Sequence, residues 1–192
     1  MNATPVNLRK RVAIGAVTGL AVVGGLVGIS AYASPVAEAE PVNAVAVADV
    51  QESAVTSANT LTNEAAQAVL EAAQAKADEL EQRVTVTIVD RNGNMIAMVK
   101  GDGAGPQSPD SAERKAYTAV SWNQPTSALA KNVNGNGPSI ADIPGTLFLA
   151  GGVPVTVDGA PVAGIGVGGA PSGDIDEEIA NAGLAALAEL DD

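Results

Sequence analysis

Gly164, Gly166 and Gly169 stand in the stretch GIGVGG with the spacing G-x-G-x-x-G. At a strand-to-helix turn that spacing can cradle the pyrophosphate of a dinucleotide, because bare backbone N–H groups approach the phosphates. The same chemistry needs a crossover from the helix into a second parallel strand bearing an acidic residue for the ribose. Only 23 residues follow Gly169, and a helix-like run takes most of them. The strand-like run before the motif arrives from a hairpin, and no G-x-x-x-x-G-K-S/T loop occurs. These glycines therefore read as a strand that packs closely on a neighbour and turns sharply into a capped helix.

A second group is acidic. Asp78, Glu79 and Glu81 follow one another at the expected end of a helix, and Asp78 and Glu81, three apart, share a face there. Paired carboxylate oxygens suit an iron ion. The plainer reading is a solvated acidic helix end. Asp174, Asp176, Glu177 and Glu178 fit helix capping and complementation of the helix dipole. Met95 and Met98 carry thioethers able to bind iron, although methionines in a strand are usually core.

Composition removes several chemistries. There is no histidine and no cysteine, so Ser-His-Asp hydrolysis, histidine–zinc sites, histidine-ligated haem and thiol chemistry are excluded. No activated nucleophile is recognisable, so the catalytic set is empty. All 22 Asp and Glu lie after residue 33, with only 7 of the 10 Lys and Arg, giving that part a net charge of −15. Such a charge repels nucleic acid and anionic lipid.

The elements that must position these groups follow from pattern. Arg9, Lys10 and Arg11 precede an uncharged apolar run from Val12 to Ile29, and Ala31-Tyr32-Ala33 follows. This order of parts predicts a secretory signal peptide over residues 1–33 and a secreted, extracellular protein. An uncleaved anchor, holding the chain at the cell surface, is the alternative, since 18 apolar residues approach the spanning limit. Residues 34–59 read as a flexible linker. The domain then covers residues 60–192. Thr62 is the expected cap of a first helix ending near Glu81, with Ala65, Ala68, Val69, Ala72, Ala75 or Lys76, and Leu80 on one face. VTVTIVD and MIAMVKGDG are strands joined at Asn92-Gly93. A helix runs from about Pro109–Ser111 to Trp122 or Asn123, and TSALAKNV offers a short one. GTLFLAGG, VPVTVDG and APVAGIGVGG are strand-like, the last two joined at Asp158-Gly159. A terminal helix is expected to be capped by Asp174. The order α-β-β-α-(β)-β-β-α predicts an α+β fold, a mainly antiparallel sheet covered by helices.

Three segments together carry a family resemblance: RVTVTIVDRNGNMIAMVKGDGAGPQS, AERKAYTAVSWNQPTSALAK and IPGTLFLAGGVPVTVDGAPVAGIGVGGAPSGDIDE. They resemble the GlcG/HbpS family, and within it the secreted haem-binding branch of actinobacteria, over about Leu61 to Leu187. The resemblance implies a profilin-like α-β-α fold, haem b as cofactor, and a homo-oligomer, an octamer in the secreted branch. It also implies haem or iron stress sensing with the ectodomain of a two-component sensor kinase as partner, iron-ion binding at acidic positions, and haem degradation under oxidative stress.

The resemblance implies a threonine ligand to haem iron in the secreted branch, and Thr118 in ERKAYTAV is the matching residue. A neutral hydroxyl is a weak iron ligand, suited to reversible carriage. Tyr117 competes with it, because phenolate is an established haem ligand type. Neighbours on a helix point about 100° apart, so both cannot serve one iron. Arg114 and Lys115, one turn away, could pair with the propionates. The plainer reading makes Thr118 a buried helix residue and Arg114-Lys115 a solvated face. Any haem breakdown would be chemistry of iron and peroxide on bound haem, with the chain as scaffold. The functional expectation is a secreted protein for haem scavenging or haem-responsive sensing. The alternative is a non-haem interaction protein that meets a sensor ectodomain through an acidic oligomer surface. An enzyme acting on a small hydroxy acid, suggested by metabolic members of the family, lacks an acid–base pair.

Overall fold

A computed structural model describes residues 50–131, 133 and 139–190 of the chain. The expected signal peptide and most of the expected linker lie outside those residues. Residues 50–59 are exposed and hold one 3-10 turn, Glu52–Ala54. Among the described residues no helix is long and apolar enough to cross a membrane.

The first helix, α1 (Asn63–Glu79), starts where Thr62 Oγ1 accepts the Ala65 N–H at 3.1 Å. Its buried face is Ala65, Ala66, Val69, Leu70, Ala73 and Ala77. The expected face was rotated, because alanines on every side of this helix blur the 3.6-residue period. The helix also stops two residues before the expected end. Glu81 takes a left-handed φ of 56°, its N–H donates to the Asp78 carbonyl, and Gln82 N–H donates to Ala77. This is a Schellman stop with glutamate in the position glycine usually fills.

Strands β1 (Thr85–Asp90) and β2 (Met95–Lys100) form the first hairpin. Asp90 Oδ1 accepts the N–H groups of Asn92 and Asn94, each at 2.8 Å, and Gly93 supplies a φ of 84°. Helix α2 (Ser108–Trp122) follows and stops at Asn123, left-handed at φ 53°. A short α3 (Thr126–Ala130) comes next. Strands β3 (Gly152–Val157) and β4 (Ala160–Gly168) turn at Asp158 and Gly159, with φ of 51° and 78°. That pair of positive angles matches the twist of a tight hairpin. Helix α4 (Gly173–Ala186) closes the domain.

All three strand pairings are antiparallel, in the order β2-β1-β4-β3. Helices α1 and α4 cover one face over Val86, Ile88, Val153, Ile165 and Val167, and with Ile179 of α4 these make the main apolar core. Helix α2 covers the other, where Val89, Ala116 and Val120 meet. The α+β class and the helical cover stand as expected. The bracketed strand does not form: residues 143–151 run as an irregular strap, and β3 begins at Gly152.

The glycines of GIGVGG explain how α2 sits. Ile165 and Val167 point into the α1/α4 core, so Gly164, Gly166 and Gly168 face α2. A Cβ on Gly166 would strike the Ala112 carbonyl, and one on Gly164 the Ala116 carbonyl. The helix backbone therefore rests directly on β4, with Ala112 and Ala116 as its contact residues. Gly169, at φ 128°, starts the turn towards α4.

Candidate functional site

Helix α2 turns three different faces to its surroundings. Ala112, Ala116, Ala119 and Val120 face the sheet and are buried. Arg114 and Tyr117 point outward. Lys115 and Thr118 lie on one flank, fully enclosed.

An open depression of about 340 Å³ lies against the outward face, lined by Gly93, Asp110, Glu113, Arg114, Tyr117, Pro144 and Gly145. Tyr117 is its central group, 36% exposed. A Cβ on Gly93 would stand 2.8 Å from Tyr117 Cε2, and one on Gly145 would stand 4.0 Å from Cε1. The ring thus lies in a slot between two glycines, one in the β1–β2 turn and one in the strap. Among the described residues the Tyr117 hydroxyl has no hydrogen-bond partner. Arg114 Nε is 3.0 Å from Asp110 Oδ1, an exposed pair one helical turn long. Such a pair is weak, so the guanidinium can change partner.

Thr118 and Lys115 do not enter this depression. Thr118 Oγ1 donates to the Arg114 carbonyl at 2.7 Å and accepts the Leu147 N–H at 2.8 Å, with no exposure. As the chain stands, its hydroxyl is engaged on both sides and closed to an iron in the pocket. Lys115, three residues earlier, lies on the same flank of the helix as Thr118, one turn nearer its start. Its Nζ donates to Asp176 Oδ2 at 2.7 Å and to the Val167 carbonyl at 2.9 Å, and it is 3% exposed. Of the two cations expected to pair with propionates, only Arg114 faces out; the plainer reading of both as a solvated face fails at Lys115 as well.

The methionines differ from the core expectation too. Met95 is 45% exposed and Met98 half-buried, because β2 is an edge strand with a neighbour on one side only. Neither lines the depression.

Asp78 and Glu81 do come together, with Asp102, Gln74, Gln82, Arg83 and Gly101, around a second depression of about 510 Å³. They do so although Glu81 lies past the helix end rather than on its face. Arg83 adds a positive charge, and Gln74 Nε2 is a buried donor without a partner. Among the described residues no three carboxylates close into a group able to hold a metal ion. Asp78 and Glu81 are thus an incomplete ligand set, and an iron ion there would have to fill its remaining positions with water.

The acidic start of α4 is used otherwise than expected. Ser172, not Asp174, caps the helix, accepting the Ile175 N–H at 3.4 Å. Glu177 reaches away to accept from the backbone of Ser127 and Gly151, each at 3.2 Å. Asp176 is buried beside Lys115. No sequence pattern links residues 61 apart, so this pair was invisible before the fold.

For haem, the chain's own residues give a partial fit. Among the described residues nothing engages the Tyr117 oxygen, Arg114 can meet a propionate, and Pro144 and the ring edge are apolar. Asp110 and Glu113 on the same wall oppose an anion. The depression is open to one side, so it would cover only part of a macrocycle.

Comparison with known proteins agrees with this architecture. The family model described as haem degrading protein HbpS-like matches residues 61–185. A crystal structure of a double mutant of Streptomyces reticuli HbpS is 57% identical, with a TM-score of 0.70, covering 74% of this chain and 97% of that one. A crystal structure of a PduOC–haem complex is 27% identical, with a TM-score of 0.61, covering 67% and 95%. Protein GlcG of Escherichia coli strain K12 is 30% identical over 107 residues, 56% of this chain and 80% of that protein. With the model match spanning most of the folded domain, the chain belongs to the HbpS-like family of the GlcG/HbpS group.

Proposed function

We propose that this chain binds haem b reversibly in the depression around Tyr117, as a haem-scavenging or haem-responsive protein. The observation that carries the reading is the unpartnered Tyr117 hydroxyl, held in a slot between Gly93 and Gly145. Membership of the HbpS-like family and likeness to a haem complex support haem as the ligand. Phenolate oxygen is an established ligand type for haem iron. Arg114 would exchange Asp110 for a propionate, while Pro144 and Gly145 would exclude water from one side. Bound haem would supply the redox chemistry of its iron, including breakdown by peroxide; the chain supplies binding and orientation.

The open side of the depression leaves room for a second copy, and a homo-oligomer is proposed on that ground. Secretion, a sensor-kinase ectodomain as partner and redox sensing belong to the same proposal and rest on the N-terminal residue pattern and the family resemblance. An iron ion at Asp78 and Glu81 is a separate proposal, resting on the two carboxylates that share a rim with Asp102.

Titration of the purified protein with hemin tests the reading. A saturable Soret shift near one haem per chain is expected, and Tyr117→Phe should change the ferric spectrum and weaken binding. A wild-type titration without saturation overturns it.

A further inference from the structure

We infer that Thr118 is a positioning residue: its hydroxyl latches the strap that forms one wall of the Tyr117 depression. This rests on the reading of that depression as the haem site. The strap builds its wall locally. Ile143, Pro144, Gly145 and Thr146 make a tight turn, closed by Thr146 N–H and Thr146 Oγ1 on the Ile143 carbonyl at 3.4 and 2.7 Å. Proline in the second place and glycine in the third, at φ 83°, suit a type II turn. Pro144 and Gly145 are therefore fixed relative to each other, and what remains to be fixed is the turn relative to Tyr117.

Two contacts do this, both on α2. Leu147 N–H donates to Thr118 Oγ1 at 2.8 Å. Phe148, the only phenylalanine, meets Trp122, the only tryptophan, edge to face at 5.3 Å between ring centres. Thr118 and Trp122 are four apart, so they present one edge of the helix to the strap. Among the described residues, the Leu147–Thr118 bond is the one hydrogen bond joining residues 139–148 to the rest of the domain. The Thr118 hydroxyl suits this work because its proton is committed to the Arg114 carbonyl, which turns a lone pair towards Leu147. The latch also sits one residue from Tyr117 and two from Gly145. A shift at Leu147 is passed directly to the wall facing the ring.

The test uses Thr118→Val, which keeps the shape and removes the hydroxyl, and Thr118→Ser, which keeps the hydroxyl. In haem-free protein the Leu147 amide should exchange roughly tenfold faster in the valine variant. The Gly145 amide and Tyr117 ring resonances should move with it. Hemin affinity should fall about fivefold, the worth of one net hydrogen bond. The ferric ligation spectrum should keep its wild-type form, and the serine variant should match wild type throughout. If Thr118→Val fails to fold, Leu147→Pro removes the donor from the strap side, and the Gly145 and Tyr117 resonances and the affinity are read there. The latch is overturned if those resonances and the affinity stay at wild-type values. A changed ligation spectrum with unmoved resonances also overturns it, by making Thr118 a direct ligand. Should wild-type protein bind no hemin, the haem reading falls alone, because exchange and resonances in haem-free protein still decide the latch.

Discussion

Lys115 on α2 and Asp176 on α4 meet at 2.7 Å, both side chains 4% exposed, around the last residues of β4. Lys115 Nζ also holds the Val167 carbonyl, and Asp176 Oδ1 accepts the Ala170 N–H at 3.0 Å. Gly151 leaves the space: its added Cβ would lie 2.8 Å from that Nζ and 2.7 Å from Asp176 Cβ. One ion pair thus ties the two helical layers together across the end of the sheet. Removing one partner leaves a buried charge unpaired, at about 3–5 kcal/mol. Lys115→Met or Asp176→Leu alone should lower the denaturation midpoint strongly. The double variant should recover most of the loss, since a matched apolar pair can be near neutral. Equal losses in single and double variants would disprove this coupling.

The pair also has a pH signature. Burial raises the Asp176 pKa above the usual carboxylate range; the hydrogen bond and charge of Lys115, then the Ala170 N–H, lower it without cancelling the rise. A carboxyl with a raised folded pKa binds its proton more tightly folded than unfolded. Its contribution is fully present below the unfolded value, near 3.9, and is lost as pH rises through the folded value. Relative to the double variant, wild type should lose stability upward through that window. Urea unfolding of both proteins between pH 3 and 7 measures the difference, and a rising difference would reverse the sign.

Gly166 gives a packing test. An alanine there would meet the α2 backbone at Ala112 and Ala116, where no flexible side chain can give way. Overpacking costs about 1–3 kcal/mol, and backbone contact places Gly166→Ala at or above the upper end. Gly159→Ala is the comparison. Nothing lies within 4 Å of its added Cβ, and only its φ of 78° opposes the change, so about 1 kcal/mol is expected. Thermal melts should rank Gly166→Ala well below Gly159→Ala; the opposite order would refute close docking of α2 on β4.

What could be read before the fold was local. Alternating Val and Thr gave β1, paired turn residues gave both hairpins, and the glycines of GIGVGG were read as close packing rather than a phosphate cradle. Tyr117 and Arg114 were legible as outward groups only once the α2 face was known. Lys115 misled because it follows the charged Glu113 and Arg114, while its buried partner lies 61 residues away. GTLFLAGG has the apolar content of a strand, yet its Pro-Gly turn and the Thr118 latch hold it as a strap. The helix end at Glu79 was missed because the stop uses Glu81 where a glycine would have announced it.

Glu81 is accordingly the residue whose replacement should stabilise the chain. Its left-handed φ of 56° places a Cβ against the local backbone, a strain of about 1–2 kcal/mol that glycine avoids. Glycine loses more chain entropy on folding, about 0.5–1 kcal/mol, so Glu81→Gly should gain up to about 1 kcal/mol. The Schellman bonds from Glu81 and Gln82 are backbone bonds and survive the change. The same variant removes one of the two carboxylates proposed for an iron ion beside Asp102. A raised denaturation midpoint together with weaker ferric-ion binding is the expected result. That outcome would mean a strained glutamate is retained for its carboxylate at the expense of stability, the pattern typical of backbone strain at functional sites. A midpoint at or below wild type would show that the strain is relieved elsewhere, and unchanged iron binding would remove Glu81 from the iron proposal.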